Sequence, residues 1–199
     1  MSGPASCWAI IPVKAPGQGK SRLAEVLSPA ERAALVAAML ARVVEAARGC
    51  PAIAQVALVS PSDHGFTGRV ELLPDAAGTL NGALVEAVAA LGDVPPKRLL
   101  VIAADLPGID ARDVAMLANA ADASIAIAPD RHGSGTNALS LPWTAAASFR
   151  FAFGPGSHAR HRAEAHRLGF AVETILSAGL ENDVDVPADL LDARRALAR

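Results

Sequence analysis

The sequence predicts an α/β fold: a mostly parallel β-sheet with helices on both faces. Near-continuous apolar runs at 8–13, 54–59, 98–104, 124–128 and 171–175 alternate with stretches of helical length. Strands apolar on both sides belong to sheets covered twice. The chain is 52% hydrophobic but only 4% aromatic, so its core is built from aliphatic side chains and alanine. Polar clusters at Lys14, at Ser60 to Asp63, at Asp105 and at Asp130 to Asn137 each follow an apolar run. In such folds ligands bind at the carboxyl ends of the strands.

Each element has its own signal. The run 8–13 ends at Lys14 and reads as a buried first strand. Ser28-Pro29-Ala30-Glu31 is a capping box with proline at the first helical position, and it opens a helix through 47 whose charges at Glu31, Arg32, Arg42 and Glu45 leave an apolar stripe. A second strand at 54–59 stops at Ser60-Pro-Ser-Asp63, and 70–73 is a short third. Gly78-Thr-Leu-Asn81 leads into a helix over 82–91. The run 98–104 is the clearest buried strand and ends in Asp105-Leu-Pro-Gly108, after which Asp110 caps a helix. The strand 124–128 runs into APDRHGSGTNAL, where Ala128 and Ala138-Leu139 read as strand ends with a loop between them. A helix over 157–168 follows Gly154-Pro-Gly-Ser157, with Ser157 as its N-cap. A strand at 171–175 and a helix over 187–198 complete the chain. There is no internal repeat, low-complexity tract or linker, so residues 1–199 read as a single domain.

Composition excludes several functions. A net charge of −2 gives no general pull toward nucleic acid or an anionic membrane, and basic residues are not interleaved with aromatics. No apolar segment approaches the roughly 18 residues of a membrane span, and MSGPASC lacks the features of a secretory leader, so a cytoplasmic protein is expected. Cys7 and Cys50 read as small buried hydrophobes. There is no Gly-x-Ser-x-Gly elbow. Gly19-Lys20-Ser21 suggests a phosphate-binding P-loop, but the glycine that motif needs five residues earlier is Lys14.

What remains is a set of candidate anion and cation sites. Lys14, Lys20 and Arg22 sit in a glycine-bearing loop after the first strand, suited to phosphate groups. Asp105 is delivered to the sheet edge, and Asn182-Asp183-Val-Asp185 supplies two more carboxylates. Aspartates from separate strand ends suit a hard cation such as Mg²⁺. The alternative is that Asp105 starts a turn and Asp185 caps the last helix. Gly154 to Ser157 forms a second anion cradle, whose helix start offers N–H groups. His158 and His161, three apart, read as solvent-facing or as a donor to an anion, and no nearby carboxylate or cysteine supports zinc. Two anion sites and a pair of aspartates indicate two phosphorylated compounds brought together across a divalent ion.

The segments IPVKAPGQGKSRLA, AADLP, APDRHGSGTNAL, FGPGSHARH and NDVDVPADL, in this order over essentially the whole chain, resemble the CofC/FbiD guanylyltransferases of coenzyme F-420 biosynthesis. The resemblance implies a nucleotide-diphospho-sugar transferase-like (GT-A type, Rossmann-like) fold. It also implies transfer of GMP from GTP to a small phosphorylated three-carbon acid, with release of pyrophosphate. The acid is phosphoenolpyruvate, 2-phospho-L-lactate or 3-phospho-D-glycerate. Carried onto this sequence, it implies Mg²⁺ on Asp105 and on the Asp183/Asp185 pair, with Asp185 favoured. Arg131, Thr136, Gly154 and Ser157 would then meet the acceptor. Lys14 and Lys20 would meet the GTP phosphates, with Arg22 beside Lys20 on departing pyrophosphate, while Ser60 to Asp63, Leu80 and Asn81 frame the guanine. One departure is that Lys14-Ala-Pro-Gly replaces the glycine-rich opening loop of related transferases. Another nucleotidyltransferase of this fold, of the molybdopterin guanylyl- or cytidylyltransferase type, and a non-catalytic nucleotide or sugar-phosphate sensor are the alternatives. The implied partners are small molecules and the next enzyme of the pathway, and alanine-rich helices leave room for a homodimer.

Overall fold

The computed structural model describes residues 7–66, 70–73, 75–91 and 95–198. Residues 1–6, on which the leader reading rests, lie outside the described residues. Seven strands form one sheet: β1 (Cys7–Pro12), β2 (Ile53–Val59), β3 (Glu71–Leu73), β4 (Arg98–Ile102), β5 (Ser124–Pro129), β6 (Thr136–Pro142) and β7 (Ala171–Thr174). Their order is β3-β2-β1-β4-β6-β5-β7. All neighbouring pairs are parallel except those of β6, which runs antiparallel to β4 and β5.

The helices are α1 (Pro29–Gly49), α2 (Leu80–Ala90), α3 (Ala111–Ala118), α4 (Trp143–Ala146), α5 (Ser157–Arg167), α6 (Ala178–Glu181) and α7 (Leu190–Leu197). The predicted capping box of α1 is formed in both directions between Ser28 and Glu31, with Pro29 inside it. Asp110 caps α3 by accepting from the amides of Arg112 (2.7 Å) and Asp113 (3.1 Å). Helix α2 starts two residues earlier than predicted, because Thr79 caps it through the Gly82 amide.

Alternation along β1 splits the core into two layers. Cys7, Ala9 and Ile11 join a cluster with Val43 and Val44 of α1 and Val114 and Leu117 of α3. Ile10 faces the other side, with Leu84 and Val88 of α2 and Ala165 of α5. Both cysteines are free and buried, as predicted.

The main departure is β6. Thr136 and Asn137, read as loop residues, are its first two positions, and the strand runs on to Pro142. Only six residues separate β5 from β6, too few for a crossover, so the return strand has to be antiparallel. The turn is organised by Asp130, whose carboxylate accepts from the amides of His132 (3.1 Å), Ser134 (2.9 Å) and Gly135 (2.9 Å). Gly135 is required there, since a Cβ would lie 2.6 Å from an Asp130 oxygen. The predicted helix over 187–198 begins as a 3-10 turn, Pro187–Asp189, before α7.

Arg98 opens β4 and is 1% exposed. Its guanidinium donates to Ser140 Oγ (2.9 Å) and to the carbonyls of Ala121 (3.0 Å), Ser124 (3.0 Å) and Ser140 (2.9 Å). It thus fastens β4, β5 and β6 at the end of the sheet opposite Asp105. Replacement by methionine leaves several buried acceptors unpaired, each costing about 1–3 kcal/mol. Arg98→Met is expected to lower unfolding free energy by roughly 2–4 kcal/mol in a urea titration, and an unchanged midpoint would refute this anchoring role.

Candidate active site

A cleft of about 780 Å³ opens at the carboxyl ends of β1, β2 and β4. Lys14, Gly19, Lys20 and Arg22 line it from the loop after β1, Asp105 from the loop after β4, and Asp185 from the segment before α7. Pro61, Asp75, Gly78, Thr79, Leu80 and Phe153 also contribute to its wall.

The loop after β1 brings Lys20 to the cap of a short 3-10 turn, Ser21–Leu23, in the left-handed conformation (φ 50°). A non-glycine residue held there is strained, and here two carboxylates hold it. Its ammonium donates to Asp105 and, at 3.1 Å, to Asp185. Arg22 approaches the other Asp185 oxygen at 3.6 Å. Burial alone would push the Lys20 pKa down, but the pairs with Asp105 and then Asp185 outweigh it and hold the ammonium above its usual range. Lys14 stays exposed at the mouth.

Asp105, Asp183 and Asp185 each offer an oxygen, all within 4.8 Å of one another. Burial first, and then the Asp105 charge, raise the pKa of Asp183 above the ordinary carboxylate value. The start of β6 holds this cluster in place through Asn137. Asn137 donates its amide to the carbonyls of Leu180 (2.9 Å) and Glu181 (3.3 Å) and to Asp183 Oδ1 (3.3 Å). The helix cap considered for Asp185 is supplied instead by Asp189, which accepts from the amides of Asp185 (2.7 Å) and Val186 (2.9 Å). That leaves the Asp185 carboxylate turned to the cleft.

Beside the cleft, β6 and the start of α5 are joined. The amide of His158 donates to Ser134 O (3.1 Å), and its ring meets Gly133 O (2.9 Å). His161 spans Thr136 Oγ1 (3.0 Å) and the amide of Ala152 (3.0 Å). Three expectations change here. The N-cap of α5 is Gly156 at φ 72°, and Ser157 is the first helical residue, its hydroxyl buried without a hydrogen-bond partner. The leading amides of the helix are not open: those of Ser157 and His158 donate to Gly154 O and Ser134 O. His161 is fully buried rather than facing solvent.

Several other predicted residues are engaged elsewhere. Arg131 pairs with Asp189 at 2.5 Å and not with Asp130. The Asn81 amide grips Phe153 on both sides, accepting from its N–H (2.8 Å) and donating to its C=O (3.3 Å). It therefore positions a cleft residue and does not itself line the cleft. Ser60 is buried against His64 (3.0 Å), and Asp63 accepts from the Gly65 amide (3.1 Å), so Pro61 and Leu80 are the members of the predicted guanine frame on the wall.

Residues 7–193 match the family model described as guanylyl transferase CofC like. The chain belongs to this family. Its relatives include the phosphoenolpyruvate guanylyltransferases of Chloroflexus aurantiacus (36% identical, covering 95% of each chain) and Sphaerobacter thermophilus (38%, covering 92% of this chain and 89% of that one). Among solved structures, a nucleotidyl transferase from Methanothermobacter thermautotroptrophicus superposes with a TM-score of 0.69 at 15% identity, over 98% of this chain and 99% of that one. That likeness concerns the fold, which is of the nucleotide-diphospho-sugar transferase class. As a CofC-like protein the chain is a nucleotidyltransferase, a guanylyltransferase. Among the described residues no helix is long and apolar enough to cross a membrane.

The sequence reading of this CofC-like chain missed Asp189 as a cap, Asn137 as the anchor of Asp183, and Phe153 as a cleft residue. The segment Val-Pro-Ala-Asp carried the first signal, an acidic residue at the third position of a helix start. The other two depend on contacts between segments distant in sequence.

Burial first, then the electrostatic influence of neighbouring Arg160 and His158, hold the His161 pKa at about 4 against an ordinary 6.5, with Glu164 opposing them. A depressed histidine contributes stability that is present above the unfolded value and lost as pH falls through the folded one. The wild type should therefore lose up to about 3 kcal/mol from this group between pH 6.5 and 4. His161→Phe should lack that component. The wild-type advantage in unfolding free energy should shrink with acidification, and parallel pH profiles would contradict the buried neutral ring.

Proposed function

We propose that this protein transfers GMP from GTP to phosphoenolpyruvate with release of pyrophosphate, as a cytoplasmic step of coenzyme F-420 assembly. Residues 1–199 act as one nucleotidyltransferase domain in this reading. The observation that carries it is the meeting, in one cleft, of a cationic loop with three aspartates from two distant segments. The names of the relatives at 36–38% identity favour phosphoenolpyruvate among the three phosphorylated acids.

The donor set fits a hard divalent cation. Three carboxylate oxygens within 4.8 Å face two cationic side chains, Lys20 and Arg22, so one negative charge is left over, and burial first, then the Asp105 charge, raises the pKa of Asp183. Asp105, Asp183 and Asp185 would hold Mg²⁺, whose chemistry is neutralisation of the reacting phosphates. Lys20 and Arg22, with Lys14 at the mouth, bind the triphosphate and stabilise departing pyrophosphate. Leu80 and Pro61 cover the nucleoside end. Thr136, Gly154 and Ser157 receive the acid.

The acceptor's phosphate oxygen forms the new bond to the α-phosphorus, and the bond from that phosphorus to the bridging β-oxygen breaks. A phosphate monoester has a second pKa near ~6. The nucleophile is thus already ionised at neutral pH, and no general base is needed. Catalysis rests on positioning and charge.

Pyrophosphate release from GTP and Mg²⁺ with each of the three acids is the direct test, with the next enzyme of the pathway added to trap a short-lived product. Phosphoenolpyruvate should give the highest kcat/KM, and silence with all three acids would reject the reading. Asp105→Asn should lower turnover by at least about 100-fold while the circular dichroism spectrum is unchanged. Near-normal turnover in that variant would remove Asp105 from the metal set.

A further inference from the structure

His161 has no task in the phosphate chemistry, yet it lies where the two halves of the acceptor cradle meet. Its ring nitrogens are committed in opposite senses. A backbone amide can only donate, so Nε2, 3.0 Å from the Ala152 nitrogen, is the acceptor. A neutral ring with Nε2 bare carries its proton on Nδ1, which donates to Thr136 Oγ1 at 3.0 Å. With its oxygen accepting from His161, Thr136 has its own hydroxyl proton left to give, and among the described residues no acceptor takes it. Phe153 and Phe149 flank the ring at 4.8 and 5.7 Å and fix its plane.

We propose that His161 is a positioning residue for the acceptor acid: it presents the Thr136 hydroxyl as a donor and locks β6 to the 152–157 segment. The inference deepens the functional reading above and rests on its placing of the acid at Thr136, Gly154 and Ser157. The loop has other anchors. Arg160 holds the carbonyls of Ala152 (2.8 Å) and Pro155 (2.7 Å), and Asn81 holds Phe153. Loss of His161 should thus disturb chiefly the Thr136 hydroxyl, and a mere collapse of the segment is not expected.

Three measurements test this. In ¹⁵N NMR of the wild type at pH 7, His161 should show protonated Nδ1 and bare Nε2. An Nε2–H tautomer or a charged ring would overturn the proposal without any variant having to fold. In steady-state kinetics, His161→Gln, which can reach the Ala152 amide but not Thr136, should raise KM for the acid about tenfold. KM for GTP should stay within about twofold, and His161→Asn, whose amide can take the Nδ1 place, should recover most of the loss. Thr136→Val should show the same selective defect, and adding His161→Gln to it should change KM for the acid less than about twofold, because the two act as one unit. Equal loss for both substrates, no rescue by asparagine, or multiplicative effects in the double variant would mark His161 as structural only. Absence of wild-type turnover with every acid would overturn the functional reading and this inference with it. Wild-type turnover with unselective variants would overturn the inference alone.

Discussion

Three carboxylates held within 4.8 Å repel one another, and much of this structure serves to keep them together. Asp105 arrives from the end of β4, while Asp183 and Asp185 arrive some eighty residues later, from the segment between α6 and α7. Lys20 offsets part of the repulsion by donating to Asp105 and Asp185, and accepts a left-handed backbone to do so. Asn137 grips the chain just before Asp183 and the Asp183 carboxylate itself, and Asp189 caps the turn that follows Asp185. Arg131 in turn neutralises Asp189, so a residue that looks like a phosphate clamp in the sequence is paired with the carboxylate that caps the turn after Asp185. The cluster is a charge centre with a built frame.

The second half of the site follows a different rule. Around the cradle of β6 and α5 the fixing groups are hydrogen bonds from α5 back onto the loop that precedes it. Arg160 and His161 bind Ala152 from opposite sides of its peptide groups, and Glu164 accepts from the Arg150 amide at 2.9 Å. A helix that grips its own leading loop can present that loop with little freedom, which suits a small ligand whose phosphate and carboxylate must be placed together. Burial keeps His161 neutral by withholding the solvation a charged ring needs, and the bare Nε2 that results is the acceptor of the Ala152 amide.

The parallel strands and the main helices were legible because each rests on local chemistry: apolar runs, capping boxes, and polar residues at strand ends. Strand β6 was legible only at Ala138 and Leu139, since its first residues, Thr136 and Asn137, are polar and sit beside two glycines. Their burial, at 7% and 5% exposure, comes from partners that the local sequence does not name: His161 for Thr136, and the carbonyls of Leu180 and Glu181 for Asn137. Ser157 misled for a related reason. It has the chemistry of an N-cap, but the left-handed turn at Gly156 puts the cap one residue earlier and buries the hydroxyl.

By itself the sequence determined the fold class, the order of the parallel strands in the chain, the family, and the residues that carry charge to the sheet's edge. These depend on periodicity, turn chemistry and motifs, which are properties of neighbours in the chain. Tertiary structure decided which of those charges meet: Lys20 with Asp105 and Asp185, Arg131 with Asp189, His161 with Thr136. It also decided that Asn81, which reads as a ligand contact, holds Phe153 instead. An ion pair or a buried hydrogen bond joins groups 25 to 165 residues apart, and the competition among available partners is settled only when the sheet brings them within reach.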